Sequence, residues 1–112
     1  MLRAWLAAIA LCVMATAVQA QRTYEGREAA ALRCASMFAV TAVVLAETDQ
    51  FSEVERDVLL FASVAILERH VSGTWRQKRR ALDRLIERRG LEDTVKDYGR
   101  NATKCFRQFP IN

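Results

Sequence analysis

From Ala29 to Ala46 the chain reads AAALRCASMFAVTAVVLA, an apolar run broken only by Arg33, Ser36 and Thr41. A helix is expected over about residues 27–47, with Glu28 in its first turn, where the helix dipole favours a carboxylate. Leu32, Phe38, Val40, Val43, Val44, Leu45 and the alanines leave this helix no polar face of any width. Such a helix belongs in an interior or against a partner, so the rest of the chain has to cover it.

Three further helices are legible downstream. Thr48 to Ser52 forms a break, and Ser52 followed by Glu55 has the spacing of a capping box, in which each side chain satisfies a free backbone N–H. A second helix is expected over about 53–72. It holds VLLFASVAIL from Val58 to Leu67, again apolar in every direction. Arg69 and His70 stand in its last turn, and Gly73 follows as a left-handed cap. Thr74 and Gln77 repeat the capping-box spacing and open a third helix over 75–89, whose apolar residues shrink to Trp75, Leu82, Leu85 and Ile86. Gly90 ends it. A fourth helix is expected over 91–108, where Leu91, Val95, Tyr98, Ala102, Cys105, Phe106 and, just beyond, Phe109 fall at helical spacing, with Gly99 weakening the middle and Pro110 marking the end.

The first 20 residues, MLRAWLAAIALCVMATAVQA, combine a basic start at Arg3, a short apolar run, and small residues at Val18 and Ala20. This is the pattern of a cleavable secretory signal, too short for a spanning helix, and Cys12 leaves with it. Residues 21–112 then suffice for one small domain and are too few for two. An exported chain with two remaining cysteines most simply pairs them, so a bridge between Cys34 and Cys105 is expected. Short connections favour antiparallel neighbours, and an up-down-up-down bundle sets the end of the fourth helix beside the start of the first. The cysteines occupy those two places. The fold class expected is therefore all-α, a small four-helix bundle stapled by one disulfide and preceded by a signal peptide.

Several functions lack their chemistry here. One histidine, His70, excludes a site built on several imidazoles, and near a helix end it serves as a dipole partner. The cysteines are not in a C-x-x-C arrangement, the four glycines are scattered, and no nucleophile, base and orienter converge in the pattern. No catalytic residue, metal site, cofactor or small-molecule substrate is expected. The strongest local signal is the third helix, where Arg76, Arg80, Arg84 and Arg88 recur at steps of four. Between Arg69 and Arg89 eight basic residues face two acidic ones, Asp83 and Glu87, whereas Gln21 to Glu68 holds four basic and eight acidic residues. The row reads either as a solvated face, partly neutralised by Asp83 and Glu87 or by the acidic half of another copy, or as a surface for an anionic partner.

A binding protein of the envelope is therefore expected, acting through the basic face and its apolar helices, with a protein partner or a homodimer and a weak anionic-surface contact. Nucleic acid is disfavoured by export and by the lack of aromatic residues on the basic face. Arginine outnumbers lysine 14 to 3 and alanine is abundant, a composition that leans to a bacterial periplasm, with extracellular secretion second. The general plan resembles the small periplasmic acid-stress chaperones, helical proteins with one long-range disulfide. That resemblance implies an alternative role, a stress chaperone that exposes apolar helices on partial unfolding.

Overall fold

The computed structural model describes residues 22–112, so the expected signal peptide lies outside the described residues. Four helices follow in order: α1 over Gly26–Glu47, α2 over Glu53–His70, α3 over Trp75–Arg89 and α4 over Leu91–Gln108. No strand is present among the described residues. The all-α four-helix bundle is as expected, and each boundary lies within two residues of its sequence reading.

The local signals act where they stand in the chain. Ser52 caps α2 by accepting from the Glu55 N–H at 3.2 Å. At α3 the box is complete: Thr74 Oγ1 accepts from the Gln77 N–H at 3.2 Å, and Gln77 Oε1 accepts from the Thr74 N–H at 2.9 Å. One boundary differs from expectation. α2 stops at His70, not at Ser72, because Val71 turns extended (φ −123°, ψ 124°) and buries its side chain. Gly73 is thus not the helix cap; it serves the linker, at φ +99°.

α1 is the centre of the bundle, packing against α2, α3 and α4. Its 22 residues are apolar enough to cross a membrane by length and composition, but ten of its side chains are buried by the other helices. This is the physical use of a helix with no polar face. The buried residues of α1 and α2 include the small side chains of Ala31, Ala35, Ala42 and Ala62, and between the two helices the buried Ser63 Oγ donates to the Ala35 carbonyl at 2.8 Å. Close backbone approach follows from those small side chains. Against α4 the contact is aromatic: Phe38 is fully buried, stacked on Phe106 at 4.7 Å and edge-on to Tyr98 at 6.0 Å.

Cys34, early in α1, is joined to Cys105, late in α4, across 71 positions of sequence, and both are buried. Two more ties fasten the same end. Arg27 donates to the Gln108 carbonyl at 2.9 Å with its guanidinium over the buried Phe109 ring. His70 Nε2 lies 2.8 Å from the Pro110 carbonyl oxygen and its ring meets Phe109 edge-on, so the histidine also anchors the C-terminal tail.

The third helix is held less deeply. Lys78 is its one buried residue. Ala81, Leu82, Leu85 and Ile86 are half-buried. Trp75 and Leu91, read from spacing as core residues, are 47% and 56% exposed. The reason is the layout: α2 and α3 each pack on α1 without closing on one another, and Trp75 and Leu91 line the groove left between them.

Candidate anion-binding cleft

A row at steps of four does not stay on one face. Four residues turn a helix by about 400°, so each successive arginine of α3 is displaced by about 40°, and Arg88 lies roughly a third of a turn from Arg76. The structure divides the row accordingly. Arg84 and Arg88 line an open cleft of about 720 Å³ between α3 and the N-terminal half of α1, whereas Arg76 and Arg80 are exposed and outside it.

Across the cleft stands Arg33, the single charged side chain within the apolar run of α1, and Arg22 lies at the end nearest the N-terminal segment. The cleft floor is apolar, formed by Ala29 and Leu32 of α1 with Ala81 and Leu85 of α3. In the sequence Arg33 reads as an interruption of an apolar helix and not as a site residue. Its signal was available: a lone charge on an otherwise buried helix has to reach solvent, and so marks where the covering layer opens.

Arg22 is fixed by its own contacts. Its guanidinium donates to Ser72 Oγ at 2.6 Å and lies 5.2 Å from the centre of the Tyr24 ring. Tyr24 donates to the Ser72 carbonyl at 2.8 Å, and Ser72 Oγ donates to the Glu28 carboxylate at 2.8 Å. Burial pushes the Tyr24 hydroxyl above its ordinary pKa; Arg22 opposes the shift and Glu28 adds to it. This knot pins the segment before α1 to the α2–α3 linker and forms one wall of the cleft.

The remaining arginines keep their charge unspent. Among the described residues, ion pairs join Arg56 to Asp57, Lys96 to Glu92 and Arg89 to Asp97, and none involves Arg33, Arg84 or Arg88. Arg84 directs only its Nε inward along the helix, to the Arg80 carbonyl at 3.4 Å. Asp83 and Glu87, expected to neutralise the row, form no ion pair among the described residues; Asp83 lines the groove on the other side of α3, and Glu87 is the one carboxylate lining the cleft. Three guanidiniums around an apolar floor suit a ligand with carboxylate or phosphate groups on an apolar body, since each can present paired N–H donors to such an oxyanion.

Compared with known proteins, the chain matches no family model, no curated protein and no solved structure.

Proposed function

We propose that this is an exported binding protein of the bacterial cell envelope that acts without catalysis, holding an acidic segment of another protein in the arginine-lined cleft. The observation that carries this reading is the convergence of Arg33, Arg84 and Arg88, from two helices, on one cleft where no described carboxylate pairs with them. A chain with a secretory-type leader and one long-range disulfide suits an oxidising compartment such as the periplasm. The cleft is concave, which favours a protein segment entering it over a flat lipid surface. Its apolar floor favours a segment that carries apolar side chains beside its carboxylates. The alternative role of a chaperone activated by unfolding is less needed, since α2 already presents Val54, Val58 and Phe61 to solvent in the folded state.

Two variants separate cleft from row. Arg33→Gln/Arg84→Gln/Arg88→Gln is expected to keep the thermal midpoint of the parent and lose at least about tenfold in affinity for acidic envelope proteins, roughly 1.4 kcal/mol or more. Arg76→Gln/Arg80→Gln is expected to bind as the parent does. Retention of the parent's partners should also fall as salt rises past physiological ionic strength, where screening acts within ~8 Å. Equal loss in both variants points to diffuse charge, and recovery of binding on phosphatidylglycerol vesicles alone would replace the protein segment with lipid.

A further inference from the structure

The groove on the other side of α3 has a different character. It runs between α1, α2 and α3, encloses about 680 Å³, and is walled by apolar side chains that include Val43, Val64, Trp75 and Leu91, all exposed. Its charged lining is limited to Glu47, Arg79 and Asp83. Beside it, the outer face of α2 carries Val54, Val58 and Phe61, which are 71%, 59% and 64% exposed at steps of four and three. Val64, the next residue at a step of three, belongs to the groove wall. One continuous apolar surface thus contains both a ridge and a hollow.

We propose that a second copy of this chain covers this surface, each copy seating its α2 ridge in the groove of the other about a twofold axis. The charges argue for a second copy over a foreign helix. α2 brings Glu53, Asp57 and Glu68, all exposed, along the edge of its ridge. The α3 wall of the groove brings Arg79 and, one turn on, Asp83, and its outer rim carries Arg76 and Arg80, so three exposed arginines stand against one carboxylate there. Within one copy no ion pair joins one set to the other among the described residues; Asp57 pairs only with its sequence neighbour Arg56, at 3.2 Å. Across a twofold axis the acidic edge of one copy meets the basic wall of the other, and the match is made twice. Arg76 and Arg80, the half of the arginine row left outside the cleft, are thereby given a use. The arrangement does not depend on the function proposed for the cleft.

Sedimentation equilibrium of the protein, expressed from the full 112-residue chain and recovered as the host exports it, tests the proposal. The parent is expected to be a dimer at micromolar concentration. Phe61→Glu, at an exposed site, is expected to raise the dimer dissociation constant about 30-fold or more while the helical circular dichroism is retained. Val58→Gln provides a milder ridge variant if Phe61→Glu fails to fold. Charge reversal gives the sharper test. A chain with Asp57→Lys/Glu68→Lys and a chain with Arg76→Glu/Arg79→Glu should each be monomeric alone and associate one to one when mixed. A parent that stays monomeric up to millimolar concentration overturns the proposal, whether or not the groove captures another protein. So does a parent dimer whose reversed chains fail to associate on mixing.

Discussion

Gly73 shows how a single position ties the cleft to the fold. Its φ of +99° is one that side-chain-bearing residues rarely adopt, and a Cβ there would meet Gln77 Oε1 at 2.7 Å, Arg22 Nη1 at 2.9 Å and Tyr24 Oη at 2.9 Å. Those three groups are the α3 capping box and the knot that walls the cleft. Gly73→Ala is therefore expected to destabilise the protein by about 1–3 kcal/mol, read from urea denaturation, and to weaken cleft binding as Arg22 is displaced. Gly90 is a useful control: it also has positive φ, but no atom lies within 4 Å of its Cβ site, so Gly90→Ala should carry the backbone strain without the collision. Equal losses in the two would show that the knot contributes nothing at Gly73.

Among the elements, α1 and α3 stand at opposite ends of a scale. α1 buries ten side chains and packs on all three other helices, whereas α3 buries one. Opening free energies follow buried contacts, so α3 is expected to open locally while α1 opens only with the whole domain. Amide hydrogen exchange on the Phe61→Glu variant, in which association is removed, should show protection in α3 well below that in α1. Equal protection in the two would mean that α3 unfolds only with the domain. A weakly held α3 has a functional side: it carries Arg84 and Arg88, and an acidic ligand that bridges them to Arg33 on the rigid α1 would fasten the helix and raise its protection in turn.

For the whole molecule the disulfide is the largest single restraint. Cys34–Cys105 closes a loop of 71 positions and joins the first helix to the last. In the chain-entropy account such a closure stabilises the fold by about 4 kcal/mol, a large share of the ~5–15 kcal/mol typical of a domain. The Cys34→Ser/Cys105→Ser variant is accordingly expected to lose about that amount in urea denaturation and to unfold partly at 37 °C. Undiminished stability would instead assign the closure of the bundle to Arg27, His70 and Phe109 at the same end.

Residues that act through near neighbours were legible in order along the chain. Thr74 and Gln77 cap a helix within one turn, Gly90 ends one, and the absence of a polar face on α1 required that helix to be surrounded. The pairing of Cys34 with Cys105 was also legible, because the expected loss of Cys12 with a leader leaves the two thiols with one another and short loops bring their helices together. The orientation of surplus apolar surface was decided elsewhere. The stretch of α2 from Val58 to Leu67 is apolar in every direction, so nothing within it says that Leu59 and Ile66 turn inward while Val58 and Phe61 face solvent. That choice is made by the position of α1, as is the division of the arginine row into a pair that meets Arg33 and a pair that does not. Periodicity states which residues share a face of one helix; only packing states which face meets a neighbour, and the groove exists because α3 lies on α1 without closing against α2.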